Sequence, residues 1–118
     1  RGLKDEKLKD DLMPFFVYLE KAGAEFGYRT ASEMSRFVKI CTDLADGEMT
    51  RDEVIDAAIM QKLLPKLHGS RKKLVSILEE LIKLCVNDDG PKYALSHEKL
   101  NRMLKRVQEN GFTSYAEA

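Results

Sequence analysis

Tryptophan is absent from this chain, and in 118 residues proline occurs three times and cysteine twice. Two cysteines leave a single disulfide open from sequence. Net charge is absent too: 20 lysines and arginines face 20 aspartates and glutamates. Bulk charge therefore indicates neither a nucleic-acid binder nor a membrane-surface binder, while local basic patches stay open. No apolar run approaches the length needed to cross a bilayer, and no signal peptide is visible. No segment alternates apolar and polar residues long enough to argue for a sheet.

Several catalytic and metal motifs are missing as well. The chain carries no GxxxxGK[ST] loop, no HExxH and no GxSxG. His68 and His97 lie far apart and have no cysteine pair at zinc spacing. If Gly47 held the sixth position of a calcium loop, Leu44 would hold the third, and leucine cannot ligate calcium. No metal site is expected. Asp88 and Asp89 are adjacent acids in a turn and read as solvated. Taken alone, the chain is not expected to be an enzyme.

What remains is helical spacing. Apolar residues make up 43% of the chain and charged residues 34%, which suits one all-α domain of about five helices over residues 1–118. Leu8, Leu12, Phe15, Phe16 and Leu19 form the first stripe, with Pro14 either kinking it or opening a second, shorter helix. Gly23 is the expected stop. A second helix is expected from Thr30, where Thr30 and Glu33 match a capping box. Its buried face is Met34, Phe37, Val38, Cys41 and Leu44. Thr50 and Glu53 repeat the device for a third helix through Ile55, Ala58, Ile59 and Leu63, which ends at the loop Pro65–Gly69.

Ser70 is the expected cap of a fourth helix (Leu74, Ile77, Leu78, Leu81, Cys85). A turn follows at Asn87–Pro91, and Tyr93-Ala94-Leu95 suits a short extended piece. Ser96 is the expected cap of a fifth helix (Leu100, Met103, Leu104, Val107), which stops at Gly111. The tail, residues 112–118, either docks through Phe112 and Tyr115 or frays. Cys41 and Cys85 both fall on apolar stripes and read as reduced core thiols of a cytoplasmic protein. Arg71-Lys72-Lys73 and Arg102, Lys105, Arg106 are local basic groups. The first residue is Arg1, not methionine, which suggests a piece of a longer protein, although processing would look the same.

The most informative feature is Gly27-Tyr28-Arg29, directly ahead of the expected helix start. A guanidinium at the positive end of a helix, on a backbone loosened by glycine, is well placed to meet a phosphate. The competing reading of Arg29 is a surface loop residue or a partner for Glu25.

Three segments resemble a known family. The strings Ala24-Glu25-Phe26-Gly27-Tyr28-Arg29-Thr30-Ala31-Ser32-Glu33 and Ala57-Ala58-Ile59-Met60-Gln61-Lys62-Leu63-Leu64-Pro65-Lys66-Leu67-His68-Gly69-Ser70-Arg71-Lys72-Lys73-Leu74 look like the region after the nucleotide-binding core in McrB-like AAA+ proteins. Leu95-Ser96-His97-Glu98-Lys99-Leu100-Asn101-Arg102-Met103 and Gly111-Phe112-Thr113-Ser114-Tyr115 are similar to that family's C-terminal end. The order matches, from about Phe15 to Ala118; the first dozen residues carry little of it.

The resemblance implies the helical lid of a ring-forming NTPase. Its core would carry the Walker motifs and bind ATP or GTP with Mg2+. Arg29 would be the sensor 2 arginine and so the catalytic residue, with Gly27, Tyr28 and Arg29 meeting the nucleotide. Lys66 and Arg71 would contact the next subunit. The implied partners are the AAA+ core of the same chain, neighbouring subunits, a McrC-like nuclease and DNA. No membrane is implied. The alternatives are a freestanding helical interaction module and a small nucleic-acid-binding domain that uses the two basic groups.

Overall fold

Leu8, Leu12, Phe15 and Leu19 recur at steps of three and four, and all four are buried on one side of α1 (Glu6–Lys21). The computed structural model describes residues 6–23, 28–116 and 118. Pro14 lies inside this one continuous helix and does not start a second. Four more α-helices follow: α2 (Tyr28–Ala45), α3 (Arg51–Ala58), α4 (Arg71–Leu84) and α5 (Ala94–Asn110). The protein is thus mostly α-helical, as its apolar spacing predicts. No helix among the described residues is long and apolar enough to cross a membrane.

The start of α3 is the capping box read from sequence. Thr50 Oγ1 accepts from the Glu53 amide at 3.1 Å, and the Glu53 carboxylate accepts from the Thr50 amide at 2.8 Å. Three other expected helix starts differ. α2 begins at Tyr28, so Thr30 is a helical residue whose side chain is buried, not a cap. Residues 24–27, which precede α2, lie outside the described residues. Ser70 stands at the N-cap of α4, yet its hydroxyl makes no cap bond. α5 begins at Ala94 after Tyr93, so Tyr93-Ala94-Leu95 is not extended, and Ser96 sits a turn too late to cap.

The end of α3 shows what Pro65 does. Its ring would collide with the carbonyl four residues back and it has no amide to donate. The chain widens into a π turn at Ile59–Leu63, in which the Leu64 amide reaches Ile59, and then tightens into a 3-10 turn at Leu64–Lys66. Ile59, Leu63, Leu64 and Leu67 all remain buried through this change of pitch.

Helices α4 and α5 form an antiparallel pair. At one end, the Lys92 and Tyr93 amides donate to the Cys85 carbonyl at 2.7 and 3.1 Å. At the other, the Arg71 amide donates to the Gly111 carbonyl at 2.9 Å. Gly111 ends α5 in the left-handed region with φ +81°, as a glycine stop should. Phe15 meets Tyr93 edge to face, with ring centroids 6.0 Å apart, which ties α1 to the start of α5.

Two short antiparallel ribbons were not expected. β2 (Val86–Asn87) and β3 (Gly90–Pro91) close the anticipated Asn87–Pro91 turn. β1 (His68–Ser70) pairs with β4 (Phe112–Ser114), joining His68 to Ser114, Gly69 to Thr113 and Ser70 to Phe112. Phe112 does not dock; it is 47% exposed. Tyr115 packs against the core, with the Lys99 ammonium 4.4 Å from its ring centroid.

Only part of α2's expected face is buried. Met34 is covered, Phe37, Val38 and Cys41 are half-buried, and Leu44 is 80% exposed. Among the described residues the helix leans chiefly on α3 and the π turn behind it.

Candidate functional site

Arg29 stands in the first turn of α2, not ahead of it. Thr30 and Met34 take the inward positions, which leaves Arg29 on the outside, where it is exposed. That turn contains no acid, so the guanidinium adds to the positive end of the helix dipole, and no described residue of that turn offsets the charge. Glu33 lies one turn on, the usual i,i+4 partner, but does not pair with it. No hydrogen bond or ion pair joins Arg29 to another described residue. Gly27 lies outside the described residues. α2 is described from Tyr28 on.

Arg71 is already engaged. Its Nη2 donates to the Gln108 carbonyl at 2.8 Å and its Nε to the Val107 carbonyl at 3.4 Å. These are orphan acceptors at the end of α5, and a cation there also answers the negative end of the dipole. Lys66 is exposed in the 3-10 turn. No bond unites Arg29, Lys66 and Arg71. The fold does, however, join two of the segments that carry the family resemblance, because His68-Gly69-Ser70 and Phe112-Thr113-Ser114 are the paired strands β1 and β4.

The sequence reading missed Asp56. Its carboxylate is buried on α3, yet it reaches the start of α5. One oxygen accepts the Leu95 amide and the other the Ser96 amide, each at 2.8 Å. The Ser96 hydroxyl returns a bond to the Asp56 carbonyl at 3.3 Å. The cap of α5 is thus supplied by another helix, across 39 and 40 residues of sequence. A signal was available: Asp56 interrupts the apolar run from Val54 to Ile59.

The thiols differ in environment. Cys85 is fully buried, and burial, helped by the nearby Asp56 carboxylate, pushes its pKa up to about 12. A thiol held protonated is a poor nucleophile. Cys41 is half-buried on α2, and both cysteines are free. The native protein should therefore titrate one thiol with a disulfide reagent at pH 8, and two after unfolding in urea. Mass spectrometry of the native adduct should find the label on Cys41. Equal labelling of Cys85 under native conditions would contradict the buried placement.

Residues 3–112 match the family described as Domain of unknown function (DUF8727). The chain belongs to that family. The match runs through all five helices and ends at Phe112, so it includes Arg29, the Asp56 cap and strand β1. No curated protein and no solved structure matches the chain.

Proposed function

We propose that this chain is the C-terminal helical lid of a McrB-like AAA+ NTPase. The observation that carries the reading is the exposed Arg29 guanidinium in the first turn of α2, unpaired among the described residues. Such a group fits one phosphate contact, because it presents a rigid, permanently charged fork of donors. In this reading the core ahead of the lid holds ATP or GTP with Mg2+, and the metal neutralises phosphate charge. Arg29 registers the terminal phosphate and stabilises charge on it as the bond to the leaving group loosens. Gly27 and Tyr28 border that contact. Lys66 is free to reach a neighbouring subunit. Arg71 instead fastens α4 to α5, so its part in a ring is to hold the lid's shape. A McrC-like nuclease and DNA are the further partners of this proposal, and the cytoplasm its compartment.

A second reading is a helical interaction module. It draws on α2, where Ile40 is 49% and Leu44 80% exposed one turn apart, an apolar ridge suited to a partner helix.

The two readings separate on the coding sequence ahead of residue 1. The lid reading expects a GxxxxGK[ST] loop there, and Mg2+-dependent hydrolysis of ATP or GTP by the longer polypeptide. A longer polypeptide with no such loop, or one with the loop that binds and hydrolyses neither nucleotide, overturns it in favour of the module.

A further inference from the structure

The β1–β4 ribbon and the loop that leads into it have no part in the phosphate reading above. Directly opposed residues of an antiparallel pair point to the same side, and successive residues to opposite sides. Gly69 and Thr113 therefore share the inner side. A Cβ on Gly69 would meet the Lys73 and Leu74 side chains at 3.4 and 3.5 Å, and Thr113 is fully buried. His68, Ser70, Phe112 and Ser114 share the outer side. His68 and Ser70 are exposed there, and Phe112 stands 47% exposed.

Cations flank this outer face. Arg71, Lys72 and Lys73 leave β1 as the first turn of α4, a turn with no acid in it. Arg71 is answered by the α5 carbonyls, and the Lys73 side chain runs along the inner side toward Gly23 at the end of α1, so Lys72 is the cation of this turn left to oppose the helix dipole on the outer side. The Arg71 bonds to Val107 and Gln108 bring the end of α5 alongside. That end carries Lys105 and Arg106 within two turns of Phe112, beside a cleft of about 360 Å³ that Arg102, Glu109 and Ala118 also line. None of Lys72, Lys105 and Arg106 has an ion-pair partner among the described residues, although Lys39, Arg51, Lys83 and Arg102 each have one. Lys72 and the Lys105–Arg106 pair, far apart in sequence, thus lie on the two elements that the Arg71–Gly111 backbone bond joins next to Phe112.

We infer that the outer face of the β1–β4 ribbon binds single-stranded nucleic acid, with Phe112 stacking on a base and Lys72, Lys105 and Arg106 following the phosphates. A flat ring on a short ribbon has its face free for an unstacked base. In a duplex the bases are already stacked on one another. The ring's neighbours on the ribbon are His68, Ser70 and Ser114, which are polar and unsuited to insertion into lipid. This inference does not depend on Arg29.

The test is fluorescence anisotropy of a labelled twenty-nucleotide oligothymidine with the 118-residue chain, between 20 and 150 mM NaCl. Binding should be tightest at 20 mM and fall with salt with a log–log slope of about −2, as three phosphate contacts require. Phe112→Ala should weaken binding about tenfold with the slope unchanged. Lys72→Gln combined with Lys105→Gln should make the slope shallower by about 1.4. Lys83→Gln, at the opposite end of α4, should change neither. Circular dichroism melts of each variant separate lost binding from lost fold. Three outcomes overturn the inference: no binding at 20 mM NaCl, duplex bound as tightly as single strand with Phe112→Ala silent, or binding only to anionic phosphatidylserine vesicles.

Discussion

Asp56→Ala should lower the unfolding free energy by about 3 kcal/mol, measured by urea denaturation followed by helical circular dichroism. The substitution removes two charge-assisted bonds at once. The Leu95 and Ser96 amides would be left at a helix start where Tyr93, the cap residue, offers no side-chain acceptor. Both belong to the four orphan donors of α5, and Ser96 is fully buried, so water reaches its amide poorly. The Ser96 hydroxyl bond to the Asp56 carbonyl does not compensate, because it uses a different donor.

Asp56→Asn is the sharper variant. Its amide keeps one oxygen acceptor but turns an NH2 toward the second backbone N–H, so about half the loss should remain. A loss below about 1 kcal/mol for alanine would mean that α5 does not need this cap. The effect should appear as reduced stability and not as loss of one helix, since α5 also packs through Leu100, Met103 and Val107.

Asp56 also shows where sequence reading stops. Stripes at helical spacing located all five helices, because a repeat of three and four needs only the chain itself. The Thr50–Glu53 box was legible for the same reason: donor and acceptor lie three residues apart. The cap of α5 lies 39 residues from the amide it serves, so no local window contains it. Ser96 matched the cap pattern locally and still lost to a carboxylate from α3. Thr30 failed differently. Its box with Glu33 fits the pattern, but the helix starts at Tyr28 and buries Thr30 instead.

The ribbons were invisible for a further reason. β1 and β4 are three residues each, too short for alternation to rise above chance, and their pairing spans the whole of α4 and α5. The loop Pro65–Gly69 was conspicuous in sequence, but its partner was not. Leu44 marks the opposite error. It continues the stripe of α2 by spacing, yet it stays 80% exposed. Periodicity tells which side of a helix is apolar, not whether anything covers it.

Arg29→Ala, made in a longer polypeptide that includes the proposed core, should lower kcat for nucleotide hydrolysis by 100-fold or more while KM moves little. The reasoning is that a phosphate-sensing arginine acts mostly on charge that develops as the bond breaks, so its loss raises the barrier more than it weakens binding. Arg29→Lys should recover only a small part of the rate, because a lone ammonium cannot offer the paired donors of the fork. The same substitution in the 118-residue chain should be nearly silent for stability, within about 0.5 kcal/mol, since Arg29 is exposed and bonds to no other described residue. That pairing of results separates a phosphate contact from a structural tie: a tie such as Arg71, which holds the end of α5 through two carbonyls, would lose stability first and rate only as a consequence. Unchanged turnover in Arg29→Ala removes Arg29 from the site, whatever the rest of the lid does.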